Sequence, residues 1–172
     1  MGAMQTVIQQ AAHRSYHAIM FMGYTTQGVH FYYGTTRVRA ADYLPGDDGI
    51  DYSSNAREGQ RYNFYWDDVP EAVIRYDDST TAETPTCIGY DSIRTDIIKP
   101  DAARIDVPVF FGNGERDVSE DPHGEARFFP LCKDFTIFLL PRAAHCQTFA
   151  GTRHQFWNRM HAWSRGILPD LQ

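Results

Sequence analysis

The chain has 172 residues, 42% of them hydrophobic and 22% charged, and carries a net charge of −6. This is the composition of a globular protein, and no apolar run approaches the length of a membrane-spanning helix. The acidic balance and the lack of a basic cluster argue against nucleic acid as a partner.

Met4, Val7, Ile8, Ala11 and Ala12 recur at helical spacing and predict one apolar face of an N-terminal helix. Ala18-Ile19-Met20-Phe21-Met22-Gly23 then reads as a buried strand. His13 and His17 flank the end of the helix, where its dipole favours a cation, and are expected at the surface. Residues 31–66 are rich in aromatics (Phe31, Tyr32, Tyr33, Tyr43, Tyr62, Phe64, Tyr65, Trp66). Pro45-Gly46-Asp47-Asp48-Gly49 and Ser53-Ser54-Asn55 break the stretch as turns. Asp68 as N-cap and Pro70 near the first helical position predict a short helix from Glu71 to about Tyr76, and Thr80 to Thr86 is polar enough for a loop.

Val107-Pro108-Val109-Phe110-Phe111 is an apolar run that predicts a buried strand, and Gly112-Asn113-Gly114-Glu115-Arg116-Asp117 follows as a glycine-rich turn delivering a carboxylate. Phe135 to Leu140 predicts the next strand, and Pro141-Arg142-Ala143-Ala144-His145 delivers an imidazole from its end. If the two strands are parallel neighbours, their C-terminal ends share one sheet edge, where open α/β folds place ligands. A closing helix is signalled by the capping-box spacing of Thr152-Arg153-His154-Gln155, by Phe156, Met160, Trp163 and Ile167 on one face, and by Gly166 near its end.

The Gly-Glu-x-Asp strand, the histidine strand and the closing helix, over residues 104 to 168, resemble the C-terminal part of the α/β-hydrolase family, whose triad runs nucleophile, acid, histidine. The resemblance implies an α/β fold: the C-terminal part of an α/β-hydrolase sheet, with a partial core at 1–30 and 104–172 and an aromatic-rich cap or lid inserted at 31–103. It implies Asp117 as the acid and His145 as the base. Glu115, Glu120 and Asp121 are rivals to Asp117, and ion pairs to Arg116, Arg127 or Arg142 are the structural alternative for any of them. The implied substrate is a small acyl compound, such as an ester with an apolar or aromatic portion, and no cofactor is required. The lid aromatics would equally serve as the lid's own small core.

No Gly-x-Ser-x-Gly occurs, and Ser15, Ser53, Ser54, Ser79, Ser92, Ser119 and Ser164 lack the strand–turn–helix setting of a nucleophile elbow. Ser92 lacks the second glycine and a preceding buried strand, and Ser119 reads as a turn or capping hydroxyl. The opening Met1-Gly2-Ala3-Met4 resembles the stretch just after the serine in a Ser-Met-Gly elbow. On that reading the nucleophile lies one residue upstream, on an N-terminal companion segment or chain, and the Met1 amide is the oxyanion donor. Met1-Gly2-Ala3 reads as readily as an ordinary start or a cloning remnant. Three convincing strands would leave apolar edges, which an upstream segment or a partner would have to cover.

His30 and His123 lie where either would reach a site entrance, whereas His154 and His161 sit on the closing helix. His13, His17 and Asp47-Asp48 make no recognised ligand spacing, so no metal is expected. Cys87, Cys132 and Cys146 are odd in number without zinc or redox spacing, which points to free thiols and a cytoplasmic, reducing setting; one disulfide with one free cysteine stays open. No signal peptide is visible, which says nothing of export if the natural N-terminus lies upstream. Within the same fold an aspartate nucleophile would give epoxide or haloalkane hydrolysis, and an alcohol acceptor an acyltransferase. A non-catalytic ligand-binding or interaction module is the alternative from another class.

Overall fold

The computed structural model describes residues 1–43, 51–54 and 57–167. The turn expected at 45–49, with Asp47 and Asp48, lies outside these residues, as does Asn55. Helix α1 (Gly2–His13) leads into strand β1 (Ile19–Met22). The next segment holds β2 (His30–Tyr33), β3 (Thr36–Arg39), α2 (Ala40–Tyr43), β4 (Tyr52–Ser54), α3 (Arg61–Phe64), α4 (Glu71–Ser79), β5 (Glu83–Pro85), α5 (Thr86–Ile93) and α6 (Lys99–Ala102). The chain closes with β6 (Val109–Gly114), a 3-10 helix at Pro122–Phe128, β7 (Phe135–Leu140), a 3-10 turn at Gln147–Phe149 and α7 (Arg153–Ile167).

The three apolar runs form one parallel sheet in the order β1-β6-β7. Side chains alternate across a strand, so each run must satisfy two faces. Ile19, Phe21, Val109 and Phe111 turn towards α1 and α6, where they meet Met4, Val7, Ala11, Ile98, Ala102 and Ile105. Phe110 and Leu140 turn to the opposite face and pack with Phe156, Met160 and Trp163 of α7. Central β6 is buried at all six positions, which explains the unbroken apolar run Val109-Phe110-Phe111 that begins it.

Sheet strands occur where the three runs predict them, and the aromatic stripe of the closing helix lies on the sheet as expected. Four local expectations are corrected. Ile8 is 38% exposed and Ala12 is also exposed. The α1 seam rotates towards Gln10, whose buried amide donates to the Tyr16 carbonyl and accepts the Tyr16 N–H. Strand β6 runs on through Asn113 and Gly114, because β7 supplies Leu139 and Leu140 as partners for the residues expected to turn. Asp68 does not cap α4; it meets Arg142 Nη2 at 2.8 Å and the Gly151 N–H, while Pro70 occupies the cap position. Thr152 does not close a capping box, since its hydroxyl donates to the Pro141 carbonyl. In both cases a tertiary partner outcompetes the local cap.

The region between β1 and β6 carries two small antiparallel pairs, β2 with β3 and β4 with β5. The second places a strand inside the stretch expected to be loop. Tyr65, Val69 and Ile74 form a separate core there, joined by Phe64, Val73, Cys146 and Phe149. No helix among the described residues is long and apolar enough to cross a membrane.

Gly114 ends β6 beneath the loop that follows β7: a Cβ there would lie 2.6 Å from the carbonyl oxygens of both Ala143 and Ala144. Backbone cannot yield as a side chain can. Gly114→Ala is therefore expected to cost about 2 kcal/mol and to lower Tm by roughly 4–8 °C. An unchanged melting curve would show that the two segments do not approach this closely.

Candidate active site

Beyond Gly114 the chain turns through Glu115 and Arg116 and buries Asp117, whose side chain is 1% exposed. A buried carboxylate needs donors in place of water. Oδ1 accepts from His145 Nδ1 at 2.8 Å and from the Val118 N–H at 2.8 Å. Oδ2 accepts from the Gly114 N–H at 2.9 Å and from Gln147 Nε2. Burial alone would raise the Asp117 pKa; the imidazole and the two backbone donors outweigh it and hold the carboxyl below its ordinary value.

The histidine loop is fixed against the same turn. Glu115 N–H donates to the Leu140 carbonyl and Arg116 N–H to the Ala143 carbonyl, while the Glu115 carboxylate accepts the N–H of Arg142, a residue at φ 53°. Under the imidazole lies Gly23, also left-handed at φ 60°, where a Cβ would sit 3.4 Å from His145 Cε1. Above it, Phe64 meets the ring edge-to-face with centroids 5.6 Å apart. The segment carrying Phe64 is bonded to the loop itself: His145 N–H donates to Asn63 O and Cys146 N–H to Phe64 O.

This arrangement fixes the proton inventory. An ionised carboxylate only accepts, so His145 Nδ1 is the donor to Asp117, and in the neutral ring Nε2 keeps its lone pair. Nε2 has no hydrogen-bond partner among the described residues, and the His145 side chain is 36% exposed. Such an imidazole can take a proton at Nε2 while the carboxylate steadies the resulting cation.

The rivals of Asp117 are occupied elsewhere. Glu115 serves the turn just described, Glu120 faces His30 Nε2 at 3.3 Å, and Asp121 accepts from the Gly124 N–H at the start of the 3-10 helix and pairs with Arg127. His30 is buried, its Nδ1 directed at the Gly28 carbonyl, and His123 is exposed in the 3-10 helix that follows the acid. His13, His17, His154 and His161 are exposed. Ser92 Oγ donates to the Gly89 carbonyl within α5, and buried Ser119 donates to Glu125. Cys146 packs in the small aromatic core, and burial pushes its thiol up to about 11. The three cysteines are free thiols. Met1 lies at the N-cap of α1. Among the described residues no group of three or more His, Cys, Asp or Glu side chains could hold a metal ion.

Four supporting residues escape sequence inspection. Gln147 lies two positions past the histidine but has no motif to mark it. Arg37 reaches back from β3 to donate to the carbonyls of Asp117 and Ser119. Asn63 lies among aromatics. Glu125 is fully buried and accepts from the hydroxyls of Thr25, Thr26 and Ser119, the Thr26 N–H and Gln27 Nε2. In the sequence it reads as one more surface acid.

Because the folded Asp117 carboxyl titrates below its ordinary value of 3.8, its ionised form contributes stability that is present above that value and is lost as pH falls through the lowered one. Gln147→Leu removes one of four donors. It should raise the Asp117 midpoint and shift acid unfolding to higher pH, as read by carboxyl carbon NMR and by denaturation against pH. An unchanged midpoint would remove Gln147 from the set that holds the charge.

No family model matches the chain, and no curated protein matches it in sequence. Solved structures do. A monoacylglycerol lipase from Paleococcus ferrophilus superimposes with a TM-score of 0.67 at 17% identity, over 96% of this chain and 65% of that one. A candidate non-heme bromoperoxidase from Mycobacterium tuberculosis gives a TM-score of 0.55 at 14% identity, over 96% of this chain and 64% of that one. A peroxisomal α/β-hydrolase from Saccharomyces cerevisiae gives 0.55 at 7% identity, over 99% and 52%. The chain thus spans between half and two-thirds of the length of each of these proteins, and its parallel sheet with flanking helices has the α/β-hydrolase fold.

Proposed function

We propose that this chain supplies the acid and base of a hydrolase that cleaves an ester or related acyl compound through a Ser-Asp-His triad, with the serine on a segment outside these residues. The observation that carries the reading is the 2.8 Å bond from His145 Nδ1 to a fully enclosed Asp117, with the other ring nitrogen unbonded among the described residues. Two further features support it. The fold is shared with a protein named as a monoacylglycerol lipase. Helix α1, which in this reading follows the nucleophile, packs along β1, with Met4, Val7 and Ala11 in the core cluster that also holds Ile19 and Phe21.

In this mechanism the serine oxygen attacks the acyl carbonyl as His145 Nε2 takes its proton, and Asp117 steadies the imidazolium. The imidazolium then gives that proton to the departing alkoxide, leaving an acyl-enzyme. Water repeats the sequence in the second half, its proton passing to Nε2 and then to the serine oxygen as the acid product leaves. The carbonyl oxyanion is met by the backbone N–H of the residue after the nucleophile, the part assigned to Met1. Residues 1–30 and 104–172 form the core in this reading, and 31–103 the cap. Phe64 beside the imidazole, and the Tyr32 and Tyr62 rings packed 5.2 Å apart in the same region of the chain, favour a substrate with an apolar or aromatic portion.

Treatment with a fluorophosphonate probe, then intact-mass analysis of this chain and every co-purifying polypeptide, tests the reading. An adduct on a serine outside these residues is expected; an adduct within them would overturn that placement. No adduct on any polypeptide would favour an aspartate nucleophile or a binding module. In the complete enzyme His145→Ala should abolish hydrolysis, and Asp117→Asn should lower kcat by about 10³-fold or more with little change in KM. Retained turnover would remove either residue from the chemistry.

A further inference from the structure

The Asp117–His145 pair is held from the sheet side by β6 and β7. Its outer side is closed by a second set of contacts, and these form a ring. The backbone N–H of His145 donates to Asn63 O at 3.0 Å, and that of Cys146 to Phe64 O at 2.8 Å. The Asn63 side chain then grips the backbone of Tyr32 twice: its Oδ1 accepts the Tyr32 N–H at 2.6 Å and its Nδ2 donates to the Tyr32 carbonyl at 2.9 Å. A further bond runs from Nδ2 to Gln60 Oε1 at 2.7 Å, which uses both amide donors. Tyr32 belongs to the β2–β3 hairpin, and that hairpin is fastened to the acid loop. The His30 N–H donates to the Val118 carbonyl, and Arg37 Nη2 donates to the carbonyls of Asp117 and Ser119. The ring therefore runs from histidine loop to Asn63, to hairpin, to acid loop, and back through the Nδ1–Oδ1 bond.

We infer that Asn63 is a positioning residue for the Asp117–His145 pair, setting the distance between the histidine loop and the acid loop from the side opposite the sheet. The inference rests on the reading of these two residues as base and acid, and adds to it the residue that keeps them in register. Asn63 touches neither side chain of the pair. It acts because its backbone carbonyl holds the main chain of His145 while its side-chain amide holds the hairpin, next to the Tyr32–Tyr62 ring contact between the 60–65 strap and the hairpin. Alanine at this position removes both bonds to Tyr32 and the bond to Gln60, so that the strap stays attached to the loop but loses these hydrogen bonds to the hairpin and keeps the Tyr32–Tyr62 ring contact. The histidine loop is then held less tightly on that side.

The test reads the Nδ1–Oδ1 bond directly and so stands apart from any assay of turnover. In the full-length protein labelled with 15N-histidine, the Nδ1 proton of His145 is assigned by its loss in His145→Gln. Its exchange with water is then compared in wild type, Asn63→Ala and Asn63→Asp, with Trp163→Leu on the far face of the sheet as a control of lowered stability. Asn63→Asp keeps the acceptor for the Tyr32 N–H and loses the two donors, so it remains informative if the alanine variant does not fold. Both Asn63 variants should exchange this proton about five- to tenfold faster than wild type, while the control retains the wild-type rate below its melting transition. Wild-type exchange in the Asn63 variants, or equal acceleration in the control, would show that Asn63 contributes only to general stability and would overturn the inference. Failure of the proposed hydrolase activity, with the exchange result as expected, would leave the positioning role intact.

Discussion

The arrangement around the site depends on keeping one carboxylate ionised without water. Moving Asp117 out of solvent costs several kcal/mol unless donors replace its hydration. Each of its four donors constrains a different piece of chain: the end of β6, the acid turn, the histidine and the 3-10 turn after it. A hydrogen bond to a charged group contributes about 1.5–3 kcal/mol. The requirement that this one charge be satisfied is thus enough to fix the relative placement of four short segments that have little regular structure of their own. The glycines at 23 and 114 belong to the same constraint, since one lets β1 end directly under the imidazole and the other lets β6 end directly under the Ala143 and Ala144 carbonyls.

The region between β1 and β6 is tied down in a different way. Arg116 is nearly buried, with its guanidinium 3.6 Å from the Tyr62 ring centroid, 4.6 Å from that of Trp66, and Nη2 bonded to the Tyr65 carbonyl. Its acidic neighbour Asp67 is 83% exposed and screened by solvent, so the aromatic faces and the carbonyl do most of the holding. A residue adjacent in sequence to the acid therefore grips the strap that lies over the histidine. Arg57 makes a comparable junction lower down, bonding Asp77 and the Tyr65 hydroxyl, whose pKa burial raises to about 12.

Sequence inspection reaches the sheet and the two residues of the Asp117–His145 contact for one physical reason. Strands buried on both faces must be apolar throughout, and a polar residue that follows such a run at a glycine-rich turn is conspicuous. Asp117 and His145 stand out in this way, and so does the Phe156–Met160–Trp163 stripe. The four-residue pieces β2 and β3 carry Thr36, Arg37 and Arg39 among their aromatics, too polar and too short to register as strands. Caps at Asp68 and Thr152 are misread because a cap is a local preference of about 1 kcal/mol, which a tertiary partner overrides. Gln147, Asn63 and Arg37 act through contacts 30 to 80 residues away in sequence. No local pattern encodes such contacts; they exist only once the chain has folded.

Glu125 carries that point into the order in which the molecule assembles. Its donors at Thr25, Thr26 and Gln27 lie about a hundred residues earlier in the chain. Joining segments that far apart costs roughly 4 kcal/mol of chain entropy before any contact rewards it. A carboxylate stripped of water with only some of its partners in place would be worse off than one left in solvent. The junction is therefore expected to close as one event, because its partners are needed together. Thr25 leads on from Gly23 beneath the imidazole, and Ser119 comes two residues after Asp117, so the same event seats both floors of the site. A chain that has reached only its secondary structure has no site at all.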